Sequence, residues 1–349
     1  MVGVKIAGIC FGVLGLGWAI GPLVQSLANA GPVAAIVDAH ATPPVLDTAA
    51  DDSLRVMSLN VAHSRGLAFH QALLASDAIR GNLDGIAGVI EAARPDVVGL
   101  QEFDGVSDWS GRFDHASTLS TAAGLQQFFR GSHGKGWGPV HLDYGTGLLS
   151  RETMRHETSQ RFETSFRDNK GFVVATIEPK VFDHIAVDVV SVHLDFASGS
   201  ARARQLRMLE KALATREGPF VVMGDFNCEW GAADCVRDFA QRTGLSTDQA
   251  TLDVPTFPAD GPRHRLDWIL VSPQLEIRSL WILNVQVSDH MPVVADIALR
   301  VPPSPAALDF HLQPGSDGIN HGVDVGIPKD YDGTSIPQGD APDIGAYEQ

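Results

Sequence analysis

The sequence predicts an α/β fold, a two-sheet sandwich flanked by helices. Two observations predict it. Short β-type apolar runs outnumber segments of helical period. Most of those runs are apolar at consecutive positions, so both faces of the strands are covered. The 349 residues are 44% hydrophobic and 19% charged, enough for a sizeable core.

The elements follow in order. Leu54 to Leu59 alternates as a strand and delivers Asn60 at its end. Leu83, Ile86, Val89 and Ile90 recur at helical spacing within 83–93, and Pro95 stops that helix. Val97 to Leu100 is a buried-type strand that leads into Gln101-Glu102. Residues 131–138 have loop composition, and Gly147 to Ser150 is a further short strand. Residues 172–178 and 185–192 are β-branched strands, the second leading to His193. Residues 201–214 form a helix with Leu206, Leu209 and Leu213 inward. Phe220 to Met223 leads into Gly224-Asp225. Strands at Trp268 to Val271 and Val293 to Leu299 close the domain.

Several of these strands end in residues that bind metals or move protons. The motifs are Leu-Asn at Asn60, Gln-Glu at Glu102, Val-His-Leu-Asp at His193, Gly-Asp-Phe-Asn at Asp225 to Asn227, Leu-Asp-Trp at Asp267, and Ser-Asp-His at Asp289-His290. Alone, each has a plainer reading. Asp225-Phe226-Asn227 suits a strand-to-turn cap, Glu102 a surface position, Asp289 a turn before Pro292, and His193 a core histidine. Together they place Asn60, Glu102, His193 and Asp225 at strand ends, where ligands bind in sheet proteins.

Carboxylates, amides and two histidines suit metal-assisted hydrolysis of a phosphate ester. Hard oxygen ligands favour Mg²⁺, with Mn²⁺ as a substitute. Glu102, Asn60 and Asp289 are the candidate metal residues. His290 is the acid–base candidate, with Asp267 as its partner. His193 is a second acid–base group or a phosphate donor, and Asp225 and Asn227 position the nucleophile and a phosphate oxygen. Arg202, Arg204 and Arg207 read as a solvated helix face, with an anion-facing role as the alternative. A net charge of −16 argues against a protein that coats nucleic acid. It leaves room for a nuclease that meets its substrate briefly.

In this order the motifs resemble the endonuclease/exonuclease/phosphatase superfamily over about residues 54–299. The resemblance implies a four-layer α/β sandwich, two mainly antiparallel sheets packed face to face between helices. It implies Mg²⁺ on Glu102 with Asn60 and Asp289 close by. It implies His290 as general base oriented by Asp267, and Asp225 and Asn227 as positioning residues. His193 matches the deoxyribonuclease and sphingomyelinase-like members and argues against the apurinic endonuclease branch. The expected substrate is a phosphate ester of nucleic acid or of a phospholipid head group. The alternatives are a phosphomonoesterase and a non-catalytic surface binding protein. Loops 64–82, 104–118 and 130–146 are expected to set specificity.

The flanking segments differ in composition. Residues 1–41 read as a secretory signal with an Ala-x-Ala site ending at Ala30, or as a membrane anchor over Ile6 to Val24. Either implies export to a periplasmic or extracellular location, the anchor with membrane association. Residues 42–53 read as a linker, and 54–300 as the folded domain. Residues 301–349 are a Gly/Asp/Pro-rich extension that resembles the closing segment of secreted parallel β-helix proteins. Cys228 and Cys235 are expected to form a local disulfide after the Gly-Asp-Phe-Asn motif.

Overall fold

The computed structural model describes residues 52–300 except 135–138, 163–168 and 217, with a few isolated positions on either side. The N-terminal signal or anchor, most of the linker and most of the C-terminal extension lie outside the described residues. Among those described, no helix is long and apolar enough to cross a membrane.

Two sheets carry the fold. The first orders its strands β10 (Leu275–Ile282), β11 (Val293–Leu299), β1 (Leu54–Asn60), β2 (Val97–Asp104), β4 (Tyr144–Ser150) and β3 (Gln127–Ser132). The second orders β5 (Arg155–Arg161), β6 (Gly171–Ile177), β7 (Val187–His193), β8 (Phe220–Asp225) and β9 (Asp267–Val271). Within each sheet only one pair is parallel, β1 with β2 and β7 with β8. Among the described residues four α-helices accompany them: α1 (Ser76–Ala93), α2 (His115–Ala122), α3 (Gly199–Leu213) and α4 (Val236–Thr243).

The layer order follows from the two-residue period of strands. In β1, Leu54 and Val56 face the other sheet, while Met57 and Leu59 face α1 and α2. In β8, Val221 and Met223 face the first sheet, and Val222 packs with Leu206 and Leu209 of α3 and Phe239 of α4. In β9, Ile269 and Val271 point inward and Trp268 and Leu270 outward. The result is helix, sheet, sheet, helix, as the fold class required. Three apolar clusters fill the gaps between the layers.

Several boundaries differ from the sequence expectation. Helix α1 begins seven residues earlier than residue 83, so the expected 64–82 loop ends at Ala75. Gly81, Gly85 and Gly88 thin its apolar period, while Asp77 in its first turn complements the helix dipole. Three strands fell outside the reading: β3, β5 and β10. Strand β5 is exposed along most of its length and lacks an apolar pattern. Helices α2 and α4 have eight residues each, too short for a clear period. The Cys228–Cys235 disulfide is formed, with Cα atoms 6.6 Å apart.

Candidate active site

The inter-sheet rows of β1, β7, β8 and β9 turn polar at one end of the sandwich. Leu54, Val56, Ser58 and Asn60 share one face of β1. Val187, Val189, Ser191 and His193 share one face of β7, and Val221, Met223 and Asp225 one face of β8. Cross-strand register sets His193 beside Asp225 and Asp225 beside Asp267. Sheet geometry alone therefore lines up an imidazole and two carboxylates where the apolar core ends.

The backbone is special at two of these positions. Gly224 has φ +153°, and a Cβ there would lie 1.9 Å from the Val192 carbonyl oxygen. Only glycine lets β8 run this close to β7. Glu102 has φ +50° and sits where the β2–β4 register slips between Gln101 and Phe103. This bulge, rather than a strand end, turns the Glu102 side chain into the site.

Asp225 serves both readings of its motif, one per oxygen. Its Oδ1 accepts from the Asn227 backbone N–H at 2.8 Å, a turn cap. Its Oδ2 accepts from Asn60 Nδ2 at 3.0 Å and lies 3.4 Å from His193 Nε2 and 3.7 Å from His290 Nε2. Asn227 adopts φ +51°, tolerable for asparagine, and donates its amide to the Leu194 carbonyl at 3.0 Å. It ties the ends of β7 and β8 together. Ser288 Oγ donates to the Asn60 carbonyl at 2.6 Å, holding the His290 loop against β1.

His290 and Asp267 form the expected pair, Nδ1 to Oδ2 at 2.9 Å. Thr256 Oγ1 donates to the same oxygen at 2.6 Å. Burial alone would lower the His290 pKa, but Asp267 and Asp225 outweigh it and raise it to about 10. Burial, with a contribution from Asp267, pushes Asp225 up to about 7 against the pull of His290, Lys170 and Asn60. His290 therefore holds its proton across the neutral range, and Asp225 is the member that titrates near neutrality.

Glu102 stands on the other flank of Asp225. Its side chain is 22% exposed, against 2% for Asp225, so it borders the opening. Burial works to raise its pKa, yet His63, Lys170, His193 and His290 together hold it well below the usual carboxylate range. Lys170 Nζ lies 3.5 Å from Glu102 Oε1 and donates to His193 Nε2 at 2.8 Å. Burial and Lys170 keep His193 well below the usual histidine value, so its nitrogen has a lone pair to accept that bond. A small cleft beside Glu102 is lined by His133, Tyr144, Thr146, Asn169, Lys170 and His193.

The structure thus joins Asn60, Glu102, His193, Asp225, Asp267 and His290 into one contiguous row. Asp289 borders it but turns to Arg65, whose guanidinium lies 2.5 Å from Oδ2. Arg202 of the 202/204/207 trio spends its guanidinium on the carbonyls of Asp195 and Phe196. Lys170, Thr256, His63 and Arg65 escaped the sequence reading. None stands in a motif, and Lys170 precedes a strand instead of ending one.

The donor set fits a divalent cation. Asp225, Asp267 and His290 group ligand-type atoms within 4.8 Å of one another, but a protonated His290 paired with Asp267 has no lone pair to give, so the fit rests on the carboxylates, among them Asp267 Oδ1, which is buried without a hydrogen-bond partner. Glu102 is ionised and partly open to solvent on the adjoining flank.

A sequence profile of the endonuclease/exonuclease/phosphatase family matches residues 57–290. The chain belongs to that family. Solved structures agree in fold. An endonuclease/exonuclease/phosphatase from Beutenbergia cavernae is 21% identical, with a TM-score of 0.57, covering 72% of this chain and 73% of that one. The catalytic domain of human Nocturnin, solved with bound sulfate, is 23% identical with a TM-score of 0.54, covering 72% and 97%. A mannosyl-6-phosphatase from Bacteroides thetaiotaomicron is 16% identical with a TM-score of 0.54, covering 71% and 100%. No curated protein matches the sequence. Members of this family typically hydrolyse phosphate esters, and the fold is generally metal-dependent.

Proposed function

We propose that this protein is an exported, Mg²⁺-dependent phosphodiesterase, with Mn²⁺ able to substitute, acting on nucleic acid or a phospholipid head group. The observation that carries the reading is the single row of Glu102, His193, Asp225, His290 and Asp267, in which alternating carboxylates and imidazoles meet at one end of the sandwich. Export rests on the N-terminal sequence pattern and agrees with a disulfide at Cys228–Cys235.

Glu102, with Asn60 beside Asp225 and Asp289 at the rim, would hold the cation. When bound, it neutralises charge on the phosphoryl oxygens. The protein's own groups do the rest. A water placed against Asp225 loses a proton to its carboxylate as the water oxygen bonds to phosphorus. His290, kept protonated by Asp267, stabilises the charge that builds on the phosphoryl oxygens. Lys170 and His193 stand between Asp225 and Glu102. A proton passes from this pair to the ester oxygen as its bond to phosphorus breaks. The products are a phosphomonoester and an alcohol.

The test is hydrolysis of single- and double-stranded DNA, RNA, sphingomyelin and phosphatidylinositol. Each is run with Mg²⁺, with chelator, and with His290→Ala. Release of inorganic phosphate from monoesters, without diester cleavage, would replace this reading by a phosphomonoesterase on the same scaffold.

A further inference from the structure

The three most exposed large apolar side chains among the described residues share one end of the sandwich. Phe69, Leu73 and Phe196 are 77%, 76% and 69% exposed, while the next, Val106, is 49% exposed. All three stand on two segments, one following β1 and one following β7. These segments leave the sandwich at a single spot. Asn60 ends β1 and His193 ends β7, and both meet Oδ2 of Asp225, at 3.0 and 3.4 Å.

Hydrogen bonds hold both segments in shape. Arg65 donates to the Ala68 carbonyl at 2.7 Å and to Asp289 Oδ2 at 2.5 Å, which ties the first segment to the neighbour of His290. The Leu73 N–H donates to the His70 carbonyl at 3.2 Å and the Leu74 N–H to the Gln71 carbonyl at 3.0 Å, and Gln71 itself is buried. In the second segment, Asp195 Oδ1 accepts from the N–H groups of Ala197 and Ser198 at 2.9 and 2.7 Å, and Arg202 donates to the Phe196 carbonyl at 3.3 Å. An ordered backbone thus holds the three side chains out in solvent, where each forgoes the gain of burial.

The composition of the segments says what covers them. Residues 66–75, Gly-Leu-Ala-Phe-His-Gln-Ala-Leu-Leu-Ala, carry no Asp, Glu, Lys or Arg. A nucleic-acid surface would need cations there for its phosphates. A lipid surface takes such a segment through its apolar side chains alone. The net charge of −16 opposes approach to an anionic bilayer, so the surface is a zwitterionic one. A protein partner lying across both segments would sit over the site from which they leave, whereas a phospholipid surface supplies phosphodiesters at that place. The chain can reach it. In the anchored form, 29 residues lie between Val24 and Leu54, and extended they span roughly 100 Å.

We propose that Phe69, Leu73 and Phe196 form the surface by which the protein docks on a zwitterionic phospholipid bilayer, and that its substrate is the phosphodiester of a lipid head group. Insertion of the three side chains supplies the binding. Arg65 couples the inserted segment to the His290 loop. The choice of substrate rests on the phosphodiesterase reading above; the docking surface does not.

The experiment follows amide hydrogen exchange by mass spectrometry in the full-length protein, alone and with phosphatidylcholine–sphingomyelin vesicles. The readout is local, so binding through residues 1–41 is scored apart. The expected result is slowed exchange in 66–75 and 195–199, at low and high salt alike. Each of Phe69→Ser, Leu73→Ser and Phe196→Ser should raise the lipid concentration for half-protection on the order of 10-fold. These positions are exposed, so the variants keep the fold, and their hydrolysis of soluble bis(p-nitrophenyl) phosphate should be unchanged. No protection of the two segments by vesicles would overturn the proposal. So would protection that needs phosphatidylserine and is lost at high salt, or protection by single-stranded DNA in place of vesicles. Protection that grows with protein concentration in the absence of lipid would assign the surface to a second copy of the chain and overturn it as well. Vesicle protection without hydrolysis of any diester would keep the docking surface and overturn the phosphodiesterase reading, with the substrate drawn from it.

Discussion

Asp225 and His290 lie 3.7 Å apart and are pushed in the same direction by different forces. Burial dominates for the carboxylate, and neighbouring carboxylates dominate for the imidazole. Three predictions belong to this scale. His290→Ala and Asp225→Asn should each lower kcat by about 10²–10⁴-fold with folding intact, measured by initial rates and near-UV circular dichroism. The pH profile of kcat/KM should rise as Asp225 ionises near 7 and fall as His290 loses its proton towards 10. A plateau extending down to pH 5 would contradict that assignment. Stability has its own sign. His290 is raised from 6.5, so its contribution is full below pH 6.5 and is lost as pH rises through about 10. The Tm of chelated protein should therefore decline over that interval, and His290→Asn should remove much of the decline. Asp225, Asp267 and His193 were legible because each stands in a motif at a strand end, and His290 because it stands in the Ser-Asp-His motif just before β11. Lys170 and Thr256 were not, since only the packing of separate elements brings them to the site.

Strands and their irregularities set the geometry. The β2 bulge aims Glu102, and the close approach of β7 and β8 requires Gly224. Gly224→Ala should cost roughly 2–4 kcal/mol, seen as a lower denaturant midpoint, because a methyl group would press on the Val192 carbonyl. A second device links β1 to β11. Arg55 and Asp296 are register partners, and their side chains pair twice, at 2.6 and 2.9 Å, in a buried position. Arg55 also donates to the Ala93 carbonyl at the end of α1. Asp296→Ala should destabilise by roughly 3–5 kcal/mol, because it strands a buried guanidinium. Replacing both by apolar residues of similar volume should cost far less. The sequence gives little sign of these features. A bulge leaves no compositional mark, and an arginine inside an otherwise apolar strand reads as an outward-facing residue until its partner is known.

At the scale of the whole molecule, the sandwich was readable because alternate residues of β1, β7, β8 and β9 face different cores. Strands covered on both faces read as consecutive apolar runs, which survive in the sequence. The alternation of faces carries the site, since Asn60, His193, Asp225 and Asp267 simply extend the inward rows past the last apolar layer. The exposed strand β5 and the short helices α2 and α4 were hidden because they bury too few residues to show a pattern. Phe69, Leu73 and Phe196, in the segments that follow β1 and β7, are large apolar side chains left mostly exposed. The most direct measurement is hydrolysis of the DNA, RNA, sphingomyelin and phosphatidylinositol panel by purified protein, with and without chelator and with His290→Ala alongside. Cleavage of one diester class, abolished by chelator and variant alike, is the expected result. Cleavage that persists in either control, or silence across the panel from folded, metal-loaded protein, would contradict a metal-dependent phosphodiesterase.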